Sequence, residues 1–255
     1  NKYFNQVTLN MAENLWDIAK MLTSKKHVDL THTFEPGIPH ADDMPNEKSR
    51  KLYDFDDDGF QAHEYLITGQ WGTHCDPPIH FIENGRTIDQ ITTQEMIAPL
   101  VIFDVREKCI ENPDYALSLD DIHEWELNNG NIPHGAFTAL CTGWSSRWPD
   151  LNSYKNIDEN GISHTPGWSP QALEFLCDER SIVGCGHETL DTDPGIVVAR
   201  DKFPAEIMIL NKDRYQIEAM TKLDQVPQTG AMVIATFPKP KNGSGFPARV
   251  FAILP

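Results

Sequence analysis

The sequence predicts a mixed α/β protein built around one core. Three observations carry this. Segments of strand composition alternate with segments of helical periodicity along most of the chain. Leu100-Val-Ile-Phe-Asp-Val105 is a continuous apolar run, as expected for a strand covered on both faces. The last two strand-like segments, Met232-Val-Ile-Ala-Thr-Phe237 and Arg249-Val-Phe-Ala-Ile-Leu254, are separated by Pro, Lys, Gly and Ser, so the chain closes on an antiparallel hairpin. At 255 residues one core is favoured over two. The expectation is a single domain over 1–255, with 1–26 as an N-terminal helical arm.

The elements follow in order. Asn10 with Glu13 is a capping signal, and Leu15, Ile18, Met21 and Leu22 continue it at helical spacing. Val28-Asp-Leu-Thr31 fits a short strand leading into a Pro-bearing loop that reaches Asn46. Lys51 to Gly59, with four aspartates, reads as an exposed turn. His63-Glu-Tyr-Leu-Ile-Thr68 has strand composition. Ser118 caps a helix that stops at Asn128-Asn-Gly130. Ala136 to Thr142 is a strand, and Ser169-Pro170 opens a helix with Pro at its favoured first position. Ile182-Val-Gly-Cys-Gly186 is a short buried strand running into a loop, and Ala205 to Asn211 is helical.

Charge narrows the partners. With 21 Lys+Arg against 38 Asp+Glu the net charge is −17. Nucleic acid and anionic membrane are disfavoured, because counterion release needs a basic face. No apolar run approaches the ~20 residues that cross a bilayer. The chain starts at Asn1 without Met, which leaves a removed presequence open. The five cysteines are odd in number, sit in apolar segments and show no C-x-x-C pair. They fit buried core residues in a reducing cytoplasm.

Chemistry concentrates in Gln70-Trp-Gly-Thr-His74-Cys-Asp76-Pro-Pro-Ile-His80-Phe. If residues 74 and 76 alternate as in a strand, His74 and Asp76 leave the chain on one side, where imidazole and carboxylate suit a divalent ion. Pro77-Pro78 stiffens the turn that returns His80 toward them, as a further ligand or as a general base. The plain alternative is a capped turn in which His74 simply bonds Asp76. The second His, the Pro pair and the Gly-Thr lead-in favour the site. Cys75, between the two ligands, points away.

Gly-Thr-His-x-Asp-x-Pro-x-His-Phe resembles the signature of the cyclase family of metal-dependent hydrolases, which includes kynurenine formamidases, isatin hydrolases and a dienelactone hydrolase. Asp29-Leu-Thr-His32 with Pro39 resembles the family's N-terminal segment. Asp191-Thr-Asp193-Pro-Gly195 and Glu218 with Leu223-Asp-Gln-Val-Pro227 resemble its downstream segments, and Gly243-Ser-Gly-Phe-Pro-Ala-Arg249 its C-terminal hairpin. The resemblance spans roughly residues 28 to 254, in order as well as content.

It implies a swivelling β/β/α-like fold, with a central β-barrel-like sheet flanked by helices, assembled as a homo-oligomer (dimer or tetramer). It implies His74 and Asp76 as metal ligands, His80 as the catalytic histidine, and Glu218 as a downstream acidic ligand. Gln216, two residues earlier, faces the same way on an extended segment, and either can reach the ion. Two positions depart from the formamidases: Gln70 and Glu206 stand where those enzymes carry histidines, and both stay open as further metal ligands. The loss of two imidazoles makes the ligand set harder, which points to one divalent ion with Mn²⁺ ahead of Zn²⁺.

The expected activity is hydrolysis of a cyclic amide such as isatin, with His80 as base to an activated water. N-formylkynurenine or a lactone is the alternative substrate, and a catalytically inactive metal- or small-molecule-binding protein is the alternative class. Trp71, inside the motif, and His187 and Glu188, at a strand end, are expected at the substrate. For His187 and Glu188 an ordinary turn remains equally open, and for Asp193 it leads. Trp144, Trp148, Phe55 and Phe60 suit either a pocket wall or a core. No Gly-x-Ser-x-Gly, P-loop or dinucleotide fingerprint occurs.

Overall fold

A computed structural model describes residues 14–255. The capping signal at Asn10 and Glu13 lies outside the described residues. The helix that follows, α1 (Leu15–Ser24), is capped by Asn14, whose side chain accepts from the Trp16 amide at 3.0 Å. No residue of α1 is buried.

Strand β1 (His27–Asp29) enters the body of the protein. The stretch expected as an exposed turn is instead part of a hairpin: β2 (Lys48–Tyr53), a one-turn helix α2 (Phe55–Asp58), then β3 (Ala62–Leu66). Asp54 caps α2, and three aspartates crowd its first turn, where the helix dipole favours them. The aspartates that suggested a loop are therefore helix-start residues.

Next come β4 (His74–Asp76), β5 (Ile97–Asp104), α3 (Arg106–Glu111), β6 (Ala116–Leu117), α4 (Leu119–Asn129) and β7 (Phe137–Cys141). Then follow α5 (Leu151–Lys155), β8 (Gly167–Trp168), α6 (Pro170–Asp178), β9 (Gly184–His187), α7 (Gly195–Asp201), α8 (Pro204–Asn211) and β10 (Tyr215–Glu218). Strands β11 (Ala231–Thr236), β12 (Phe246–Pro247) and β13 (Arg249–Ile253) close the chain. Ser118 and Ser169 cap α4 and α6 as expected, the latter with Pro at the first turn.

Nine strands form one sheet in the order β1-β13-β11-β5-β7-β9-β10-β4-β12. The centre, β5-β7-β9-β10, is parallel and both flanks are antiparallel. The sheet curls into a half-barrel. Alternation along β5 shows why. Leu100 and Ile102 join an inner cluster with Val28, Cys75, Ile217 and Val250, drawn from both ends of the sheet. Val101 and Phe103 face the other way, onto Ile122, Leu173, Leu176 and Ile209 of the covering helices. Each buried side chain of this size stabilises by about 1.5–3 kcal/mol. All five cysteines are buried and unpaired by disulfide. No described helix is long and apolar enough to cross a membrane.

Candidate metal centre and active site

The site is made by a strand pairing. β4 and β10 run antiparallel with Gln216 opposite Asp76 and Glu218 opposite His74. Because side chains alternate and directly opposed residues share a face, His74, Asp76, Gln216 and Glu218 all emerge on one side of the sheet. Cys75 and Ile217, the intervening pair, point into the inner core. All four polar side chains are buried.

Hydrogen bonds fix their orientation. His74 Nδ1 bonds the Gly72 carbonyl at 2.8 Å, which turns Nε2 toward the carboxylates. Gly72 has φ of +65°, a conformation that places this carbonyl over the ring and suits glycine. Nε2 lies 3.2 Å from Asp76 Oδ2 and 3.4 Å from Glu218 Oε2. Thr192 Oγ1 donates to Gln216 Oε1 at 2.5 Å. Gln216 Nε2 meets Glu206 Oε1 at 2.9 Å and Glu218 Oε1 at 3.0 Å.

His80 stands beside this floor. Pro77 and Pro78 lead a single 3₁₀ turn, Pro78–His80, which carries the ring back over the strand. His80 Nε2 is 3.9 Å from Glu206 Oε1 and 4.0 Å from Asp76 Oδ1. Gln70 Nε2 lies 3.4 Å from His80 Nδ1 and donates to Asp76 Oδ1 (3.1 Å) and the Ser244 carbonyl (2.7 Å). Glu206 arrives on the first turn of α8, whose amides at Ala205 and Glu206 are held by Asp193 at 2.7 and 3.0 Å. The turn expected for Asp193 is thus a helix cap that positions Glu206. His187 is fully buried, with Nε2 3.4 Å from Glu218 Oε1.

Ligand atoms of His74, Asp76 and Glu218 lie within 4.8 Å of one another, and so do those of Asp76, His80 and Glu206. Negative charge is in excess. Burial raises Asp76, but His74, His80 and Gln70 together hold it down at about 2. Burial lowers His74, and Asp76 and Glu218 outweigh it, so the ring is held well above its ordinary value. Burial together with Glu218 and Asp76 pushes Glu206 far up, and burial with Glu218 and Asp193 lifts Asp191 to about 7.

The cleft above this floor has a volume of about 230 Å³ and opens between Met44, Phe81, Leu190 and Phe203. Phe81 and Phe203 meet with ring centroids 5.1 Å apart. Neither was singled out from sequence, although Phe81 closes the motif itself. Trp71 does not line the cleft: it is fully buried and packs edge-on against Phe34. Glu188 also turns away. Its Oε2 accepts from the amides of Thr142, Gly143 and Trp144 and from Thr142 Oγ1, and its Oε1 from Ser145 Oγ. Trp148 stacks on His32, Trp144 is buried in the 142–147 loop, and Phe55 and Phe60 sit in the β2–β3 hairpin.

The family model for cyclases matches residues 28–194, which include the whole segment from Gln70 to Phe81. The chain belongs to the cyclase family. Among cyclase relatives it is 32% identical over 253 residues to isatin hydrolase of Roseibium aggregatum, covering 93% of this chain and 95% of that protein. An isatin hydrolase solved with the product analogue thioisatinate superposes with a TM-score of 0.88 at 30% identity, over 96% of this chain and 100% of the other. Isatin hydrolase A from Labrenzia aggregata, bound to benzyl benzoate, gives 0.87 at 32% identity, over 94% and 98%.

Proposed function

We infer that the chain is a metal-dependent hydrolase that opens a cyclic amide of the isatin type. The observation that carries this is the β4–β10 register, which sets His74, Asp76, Gln216 and Glu218 on one buried face beside His80. The residues fit a cation. His74 Nε2 is buried and makes no hydrogen bond, although it points at two carboxylates. Three acidic groups, Asp76, Glu206 and Glu218, converge on this face, and among the described residues no Lys or Arg lines the cleft. Buried charge of one sign needs a counter-charge.

His74, Asp76 and Glu218, with Gln216, would hold one divalent ion. Oxygen-rich ligands with a single imidazole favour Mn²⁺ over Zn²⁺. Gln70 supports a single ion, because its amide already donates to the Asp76 oxygen that a second site with His80 and Glu206 would need. When bound, the ion supplies Lewis acidity that polarises a carbonyl and acidifies water toward neutral pH.

The chain's own residues do the rest. Of the two imidazoles that line the cleft His80 is the reachable one, with 21% of its side chain exposed against 2% for His74, and His187 behind them is fully buried. His80 takes one proton of the attacking water and returns it to the ring nitrogen as the C–N bond breaks, giving an amine and a carboxylic acid that releases its remaining proton to solvent. Glu206 and Asp76 flank the ring, their carboxyl oxygens 3.9 and 4.0 Å from Nε2. Phe81, Phe203, Met44 and Leu190 offer apolar walls to a flat ring, and the acidic floor favours a neutral substrate over an anionic one.

The chain acts as a homo-oligomer, dimer or tetramer, in a reducing compartment such as the cytoplasm, where five free buried cysteines are stable. The test is isatin ring opening followed by absorbance on metal-free protein restored with Mn²⁺ or Zn²⁺ separately. Mn²⁺-dependent turnover is expected. Absence of turnover on isatin with either metal removes the cyclic-amide reading, and two zinc ions per chain would remove the single-ion one.

A further inference from the structure

A second cavity, of about 230 Å³, lies beside the cleft and shares a wall with it: Ala41, Leu190 and Asp191 line both. Its far side is built from the end of α5 and the loop that follows. That loop is folded back on itself. Ser163 Oγ donates to the Lys155 carbonyl at 2.6 Å, the His164 amide to the Asn156 carbonyl at 3.1 Å, and the Asp158 amide to the Ile162 carbonyl at 2.9 Å. The cavity is shaped by these bonds before any ligand enters.

Three polar groups on its lining have bonding capacity that the chain leaves unused. Thr165 is 7% exposed, and its hydroxyl is buried with no hydrogen-bond partner. Leaving such a group unpaired is destabilising, so a native structure needs a reason for it. Gly195 keeps space beside it: an added Cβ there would stand 3.0 Å from Thr165 Oγ1 and 2.3 Å from the Ser163 carbonyl oxygen. Asp191 accepts from Thr189 Oγ1 through its backbone carbonyl, while its carboxylate makes no hydrogen bond or ion pair among the described residues. Lys155, with 13% of its side chain exposed, gives one N–H to Asp42 and keeps two. Asp42 is 80% exposed, and an ion pair with so exposed a partner yields readily to a competing carboxylate.

We propose that this cavity binds a small amino-carboxylate, with the carboxylate on Lys155 Nζ and the Thr165 hydroxyl and the amine on Asp191. Each unused group then meets the partner it lacks, through charge-assisted bonds. A ligand with both groups suits the cavity better than a simple anion, which Asp191 repels, or a simple amine, which Lys155 repels. Tyr154, Ile157 and Leu190 supply apolar walls for a ring. Two sources share this chemistry. Ring opening of a cyclic amide leaves a carboxylate and an aryl amine on one molecule, and a free aromatic amino acid carries the same two groups. The first source rests on the hydrolase reading; the cavity itself does not.

Isothermal titration calorimetry on the whole Mn²⁺-loaded protein tests this. The probes are 2-aminophenylglyoxylate, the ring-opened form of isatin, and L-phenylalanine, with benzoate and aniline as single-group controls. At least one amino-carboxylate is expected to bind, and each control at least ~10-fold more weakly. Lys155→Met and Thr165→Val should each weaken the amino-carboxylate by ~10-fold or more, the loss of one bond to a charged group. Thr165→Val should melt at or above wild type, because its hydroxyl has no partner to lose.

Tighter binding of 2-aminophenylglyoxylate assigns the cavity to the ring-opened product, and tighter binding of phenylalanine assigns it to a free amino acid. Probe affinity unchanged in both variants would place the probes elsewhere and overturn the proposal. So would benzoate binding as tightly as the amino-carboxylates, or no saturable binding of either probe. Should Thr165→Val fail to fold, Lys155→Met alone decides. A wild type that leaves isatin unopened would refute the cyclic-amide reading, while phenylalanine binding lost in Lys155→Met would still uphold the cavity.

Discussion

Replacing Glu188 separates a substrate contact from a structural clamp. Its carboxylate receives three backbone amides at 2.6 to 3.2 Å, the Thr142 hydroxyl at 2.9 Å and the Ser145 hydroxyl at 2.6 Å. Hydrogen bonds to a charged acceptor contribute about 1.5–3 kcal/mol each. They do not add here, since four donors share Oε2 and burial of the carboxyl works against them, pushing its pKa up. Glu188→Ala orphans the whole set, and a loss of about 3–5 kcal/mol is expected. Glu188→Gln keeps one acceptor for the amides and loses about 1–2 kcal/mol.

For a chain of this size 1 kcal/mol shifts Tm by about 2–4 °C, so the alanine variant should melt ~10 °C lower and the glutamine variant ~4 °C lower. Thermal unfolding with metal present reads both. KM of the glutamine variant should stay near wild type. A Glu188→Ala protein melting within ~2 °C of wild type, with KM raised, would refute the clamp and return Glu188 to the substrate.

His80→Ala should lower kcat by ~10²–10⁴, typical of a lost general base, while metal content measured by atomic absorption stays unchanged. Metal lost along with activity would instead make His80 a ligand. Chelation should abolish turnover and lower Tm without unfolding the chain at 25 °C, and Mn²⁺ should restore both; a far-UV spectrum collapsing on chelation would mark a structural metal.

His32 stacks on Trp148 at 4.2 Å, and burial, then Lys222, lowers its pKa to about 4. Between pH 6.5 and 4 the unfolded chain binds the proton and the folded chain does not, so stability falls as pH drops through that window, by up to about 3 kcal/mol. His32→Phe should flatten this slope in urea titrations at pH 4.5 and 7. An unchanged slope would place the acid lability elsewhere.

The legible parts of the sequence were those where one residue type has one structural use. Ser118 and Ser169 cap helices, the apolar run at 100–105 is a doubly covered strand, and the closing hairpin pairs β11 with β13. The hairpin at 48–66 was half legible. Its second strand has the composition, but β2 has no buried face and so no alternation to read, and Asp54 to Asp58 suit a loop and a helix start equally.

The site divides in the same way. His74, Asp76 and His80 stand together because one strand and one proline-stiffened turn carry all three, and local spacing encodes that. Gln216 and Glu218 join them through pairing across 140 residues, which composition does not reveal. Two-residue spacing restricts them to a common face without saying which strand they will oppose.

Trp71 and Glu188 lie away from the cleft lining for a shared physical reason. Each sits beside residues of the site in sequence, and strand alternation or a turn sends its side chain to the opposite side. There the indole meets Phe34 and the carboxylate meets a ring of amides. Proximity in sequence to a candidate ligand therefore predicts contact with its scaffold at least as well as contact with the cleft. Phe81 and Phe203, brought to the cleft by a 3₁₀ turn and the loop before α8, are the aromatic pair against which ring size should be selected.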